Sequence, residues 1–203
     1  MKCQLELMKK KIAAVIPAPH AEGGEAALVI TTDGEKYLDR RSTGWIIKRL
    51  AQLYNIDLHA VKKNYGPLLG RKRLIPIPLG VKLVFLPLTF KTDTFPLDRK
   101  LGYISLEQIK GVRKEADGNI LVLKNSLELR CFNTMSTIHL KIREGGLLQK
   151  ILKSELLQGE ASCYLAEKNS CLAGTICREE TAPLAAAFFY CPKKPLPGRP
   201  SKT

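Results

Sequence analysis

An apolar run, Ala27 to Thr32 (ALVITT), stops at Asp33-Gly34 and gives way to Glu35 to Leu38. Asp-Gly suits the positive φ angles of tight hairpin turns, so the pattern predicts a strand, a turn and a second strand. The period then changes. Ile46, Leu50 and Leu53 recur at helical spacing with Lys48, Arg49 and Gln52 on the other side. With Ser42 as N-cap, this predicts an amphipathic helix from Thr43 to about Tyr54. A similar order returns later. Asn119 to Leu123 (NILVL) runs into Lys124-Asn125-Ser126, after which Leu127, Leu129 and Cys131 alternate with Glu128 and Arg130. That predicts another hairpin, followed by a short helix through Ile138 and Ile142 capped by Thr134 or Ser136. His139-Leu140-Lys141 alternates well enough to read as a strand instead. Common design explains the weak repeat as well as duplication does.

Between the two units, Val81 to Leu88 reads as a buried strand. Pro76, Pro78 and Pro87 confine its ends to edge or terminal positions, because proline supplies no ladder donor. Phe90 to Lys100 reads as a loop, Gly102 to Ile104 as a short strand, Leu106 to Ile109 as a helical turn or extended piece, and Val112 to Gly118 as a polar turn. A second short helix follows Gly145-Gly146 through Leu148, Ile151, Leu156 and Leu157. The pattern describes an α+β fold, mostly antiparallel β-strands and hairpins with a few short amphipathic helices. Residues 1–26 form an N-terminal segment and 27–157 the main domain. Residues 158–203 form a cysteine-containing, proline-rich basic extension whose prolines from Pro192 to Pro200 oppose regular packing. A chain of 203 residues can bury a core without disulfides.

Charge narrows the function classes. The chain carries 33 Lys and Arg against 19 Asp and Glu, a net +14, with 45% hydrophobic residues. The excess is clustered: Arg40, Arg41, Lys48, Arg49, Lys62, Lys63, Arg71, Lys72 and Arg73 are accompanied over that span by one acid, Asp57. Such a surface attracts polyanions, nucleic acid first and anionic membrane second. The most apolar stretch, Leu74 to Phe90, is shorter than the ~20 apolar residues a spanning helix needs, carries Lys82 and is broken by prolines and Gly80. Lys9, Lys10 and Lys11 interrupt the N-terminal apolar residues, so no signal peptide is read and the expected location is the cytoplasm.

Catalytic patterns are missing. Gly66-Pro67-Leu68-Leu69-Gly70-Arg71-Lys72-Arg73 has three residues between its glycines where a phosphate-binding loop has four, and Arg73 stands where that loop needs Ser or Thr. His20, His59 and His139 are scattered without carboxylates at ligand spacing. Cys163, Cys171, Cys177 and Cys191 lack the paired spacing of a zinc site. No enzyme, cofactor or metal is expected. Basic side chains beside Ser42, Thr43, Tyr54, Asn55, Asn64 and Tyr65 supply what a DNA contact needs, charge for phosphates and short polar groups for orientation. Loop arginines also suit a narrow A·T-rich minor groove. The alternative is an interaction or structural module without DNA, its basic surface serving an acidic partner.

The order of features from residue 27 to 146 resembles the ComK family of competence transcription factors. It is carried by Tyr65, Gly70, Arg71 and Lys72, then Pro76-Ile77, Val84 to Pro87, Tyr103-Ile104-Ser105, Leu121 to Leu129, and Ser136 with Arg143. The family's Cys-Gly-Trp-like phrase is here Lys100-Leu101-Gly102-Tyr103, and the tail from about Leu157 has no counterpart. The resemblance implies a transcriptional regulator that binds A·T-rich DNA through the minor groove as a homo-oligomer and switches on genes such as those for DNA uptake. A LytTR-like DNA-binding domain is similar in its hairpin, Ser/Thr and helix.

Overall fold

In the computed structural model, residues 5–19, 25–92, 95–115 and 118–171 are described. The fold is α+β. Its elements are α1 (Leu5–Met8), β1 (Ile12–Pro19), β2 (Glu25–Thr31), β3 (Lys36–Asp39), α2 (Thr43–Leu53), α3 (Leu58–Leu68), β4 (Ile77–Gly80), β5 (Leu83–Thr92), β6 (Phe95–Ser105), a 3-10 turn (Leu106–Gln108), β7 (Ile109–Glu115), β8 (Gly118–Leu123), β9 (Glu128–Cys131) and α4 (Met135–Cys171). The strands form one antiparallel sheet in the order β3-β2-β1-β6-β5-β9-β8-β7, with β4 on β5. The chain divides into units Met1–Ser162 and Cys163–Thr203. The first holds the sheet. In the second, the described residues are helical, and the proline-rich end of the expected extension lies outside them.

Both hairpins form where the pattern puts them. Gly34 adopts φ +89° in the β2–β3 turn, and Ser126 adopts φ +64° in the β8–β9 turn. The two tips meet: Asn125 Nδ2 donates to the Thr31 carbonyl at 3.0 Å. Ser42 caps α2, its Oγ accepting from the Trp45 N–H at 3.3 Å. Ile46, Ile47, Leu50 and Ala51 then bury one face of α2 against Val15, Val29 and Phe85 of the sheet. On the opposite side, Ile30, Leu88, Ile104, Leu121 and Leu129 form a second cluster that Ile138 of α4 closes. Among the described residues no helix is long and apolar enough to cross a membrane.

Several local expectations are corrected. Ile12–Pro19, which falls in the expected N-terminal segment, is β1, in the middle of the sheet. Its pairing with β6 covers Ala14 and Val15 only. Pro17 and Pro19, two residues apart, therefore both point their missing donors to one side of a strand that β6 has already left. Within the expected loop from Phe90 to Lys100, residues 90–92 and 95–100 are strand, in β5 and β6, with Leu88 opposite Gly102 and Phe90 opposite Lys100. Val112 to Glu115 extends β7, with Val112 opposite Leu121. The helices on either side of Gly145-Gly146 are one, α4, started by Thr134, whose Oγ1 accepts from the Thr137 N–H at 3.3 Å. A Cβ on Gly145 would lie 2.6 Å from Leu86 Cδ2. Glycine there serves close helix–sheet approach, and it is not a break.

Pro87 lies inside β5, away from the strand ends to which prolines were confined. Thr89 N–H donates to Asn133 Oδ1 at 2.6 Å and the Thr89 carbonyl accepts from Phe132 N–H at 2.9 Å, so odd-numbered residues here face away from β6. Pro87 faces the same way. It falls between Phe85, paired with β4, and Phe90, paired with β9. Among the described residues no neighbouring strand claims the donor that proline lacks.

Candidate nucleic-acid interface

The site is built on α3, which the sequence reading did not anticipate. Asp57 caps it, Oδ1 accepting from the His59 N–H at 2.8 Å. Leu58, Val61 and Tyr65 follow the helical period inward, which leaves His59, Lys62 and Lys63 exposed on a shared face. The end of α3 is a Schellman motif. Gly70, at φ +62°, donates its N–H to the Pro67 carbonyl at 3.1 Å, and Arg71 N–H donates to the Gly66 carbonyl at 2.8 Å. Gly66 permits this closeness, since a Cβ there would sit 2.8 Å from the Arg71 carbonyl. The two glycines that superficially resemble a phosphate loop thus end a helix and aim the chain at Arg71.

The loop after α3 is tied to α4 at two points. Glu144, 7% exposed, accepts from Arg71 Nε at 2.7 Å and from Lys141 Nζ at 2.9 Å. The same Lys141 ammonium donates to the carbonyl of Leu74. Leu74 itself is 52% exposed and adopts φ +53°, a left-handed conformation that costs a non-glycine residue about 1–2 kcal/mol. Ile75, Pro76 and Ile77 then plunge into the core on the way to β4.

These constraints create a cleft of about 370 Å³. His59, Lys62 and Lys63 line it from α3, with Arg71, Lys72 and Arg73 facing them from the loop and Pro67 between. Among the described residues Lys62, Lys63, Lys72 and Arg73 make no ion pair, so their charge is available to an incoming anion. Convergent cations on low-dielectric walls raise the local potential more than the same charges dispersed. Alongside runs an apolar groove of about 420 Å³ that includes Val61, Leu74, Ile77, Pro87 and Tyr103, with Lys62 and Arg73 on both.

Of the nine basic residues singled out by sequence, five line this cleft. Arg40, Arg41, Lys48 and Arg49 do not. Arg40 and Lys48 are exposed elsewhere. Arg41 is held by Asp39, 2% exposed, through Nε at 2.7 Å and the terminal nitrogen at 2.5 Å, with its guanidinium 3.8 Å from the Trp45 ring centre. Arg49 pairs with Glu6 at 2.9 Å. Several polar groups expected to orient DNA also have internal partners. Thr43 Oγ1 donates to the Leu101 carbonyl, Tyr54 OH to the Lys9 carbonyl and Tyr65 OH to Glu155. Burial raises the pKa of both tyrosines, with the Glu155 charge adding to the effect at Tyr65. Asn55, at φ +55°, ends α2 much as Gly70 ends α3.

The sequence reading missed His59 as a cleft residue and Glu144 with Lys141 as its support. His59 was detectable from its i, i+3, i+4 relation to Lys62 and Lys63 once Asp57 is read as a cap. The Arg71–Glu144 contact joins residues 73 apart and leaves no local signal. No family model, curated protein or solved structure matches the chain.

Proposed function

We propose that the chain is a DNA-binding transcriptional regulator that grips duplex phosphates with the cleft between α3 and the loop after it. The observation that carries this reading is the convergence of Lys62, Lys63, Arg71, Lys72, Arg73 and His59 on one concavity, on a chain of net charge +14. Phosphate is the anion such a set fits best, since arginine forks and lysine points of charge both contact its oxygens. The ComK resemblance supplies the finer expectation of A·T-rich sites entered through the minor groove, where Arg73 and Lys72 meet the most negative potential. The grip lies on α3 and its loop, and Arg41 and Arg49 take no part in it.

Fluorescence anisotropy on A·T-rich and G·C-rich duplexes across a salt series tests this. Five phosphate contacts predict a slope of log affinity against log salt of about −4.5, with the A·T preference surviving the salt. Replacing Lys62, Lys63, Lys72 and Arg73 with alanine should lower affinity steeply and flatten the slope while the protein stays folded. Full affinity in the folded quadruple variant sinks the assignment of the cleft. No binding of either duplex at low salt moves the cleft to an acidic protein partner.

A further inference from the structure

We infer that Leu74 is an apolar wedge that enters a DNA base step beside the phosphate grip, and that it contributes to sequence preference. This rests on the DNA-binding reading above. An isolated exposed leucine carries no meaning by itself. Leu74 differs in three respects. It holds φ +53° without being glycine, a strained backbone of the kind that clusters at ligand clamps. Its carbonyl accepts from the Lys141 ammonium, and three residues upstream Arg71 is paired with Glu144 of the same helix as Lys141. It also follows directly on Lys72 and Arg73, which line the cationic cleft, and precedes a buried run from Ile75 to Leu79 that roots it in the sheet.

That combination is what a wedge requires. Cations must bring the duplex to the loop, and the inserted side chain must be rigidly rooted so that the stack yields before the protein does. Proteins that enter the minor groove unstack steps with leucine and similar residues, and the pyrimidine–purine steps TA and CA yield most easily. A wedge at Leu74 therefore reads deformability, which gives preference without hydrogen bonds to base edges.

The test uses the full chain and short duplexes with 2-aminopurine at a central TA step or, as control, within a G·C-rich run. Wild type should raise the fluorescence at the TA step at least about two-fold on binding, as unstacking requires. Leu74→Met should retain the rise. Leu74→Asn and Leu74→Gly both tolerate the left-handed backbone; they should bind with a similar salt slope yet lose the rise and most of the TA preference. If wild type binds without unstacking, or Leu74→Asn unstacks as well as wild type, the wedge is overturned and the phosphate grip stands. If wild type binds neither duplex at low salt, the DNA reading itself falls and the wedge with it.

Discussion

Glu144 offers the sharpest test of how the fold holds its basic loop. Glu144→Gln is nearly isosteric and removes one charge, so packing hardly changes while the electrostatics do. The carboxylate serves two cations of unequal exposure. Arg71 is 39% exposed in its side chain and can turn to water, so losing that contact costs at most about 1 kcal/mol. Lys141 is 8% exposed, cannot turn away, and is left as a buried cation with the Leu74 carbonyl as its remaining anchor. Breaking a buried pair from one side costs about 3–5 kcal/mol. The residual amide and carbonyl contacts place Glu144→Gln near the lower end, about 3 kcal/mol, or a fall of roughly 6–12 °C in Tm. Lys141→Met should cost less, about 2 kcal/mol, because Glu144 keeps Arg71. The double variant, with no stranded charge, should cost clearly less than the two singles summed. Urea unfolding with an unchanged slope reads all three. A Glu144→Gln loss below about 1 kcal/mol, or one smaller than that of Lys141→Met, refutes the claim that this network holds the loop. DNA affinity gives a second readout. The variant keeps every cation and gains net charge, so weaker binding would mark lost loop geometry.

Arg41→Ala should destabilise the fold by about 1–3 kcal/mol, because the Asp39 carboxylate, 2% exposed, loses its guanidinium partner; DNA affinity at matched salt should stay within about two-fold. Gly66→Ala puts a Cβ 2.8 Å from a backbone carbonyl that cannot rotate aside, so it should cost about 1–3 kcal/mol by denaturant titration and displace the loop, seen as weaker duplex binding. Burial pushes the Cys131 thiol from 9.0 up to about 12, so the folded state holds its proton where the unfolded chain has lost it. The sign follows: stability from this group is intact below pH 9 and falls as pH rises toward 12, by about 4 kcal/mol in full. Native protein at pH 8 should resist alkylation at Cys131 by peptide mass mapping, and Cys131→Ala should remove this component of the alkaline loss.

The sequence by itself determined the elements whose causes are local. Asp33-Gly34 and Asn125-Ser126 set two hairpins because few residues accept the backbone angles those turns need. Ser42 set the start of α2, and the apolar period set its buried face. The charge cluster marked the basic region, whereas the helix that Gly70 ends became visible only in the structure. Local signals misled where a residue answers to a distant neighbour. Pro87 reads as the end of a strand until the sheet order shows which strand sides lie open. Gly145 looks like a helix end until Leu86 is found against it. The same holds for the candidate site. Nine basic residues are indistinguishable by type along the chain, and only the tertiary structure assigns Arg41 to Asp39, Arg49 to Glu6, and Lys62, Lys63 and Arg71 to Arg73 to one cleft. The physical reason is range: turn and cap preferences act within a few residues, whereas ion pairing and burial depend on which distant segments the folded sheet brings into contact.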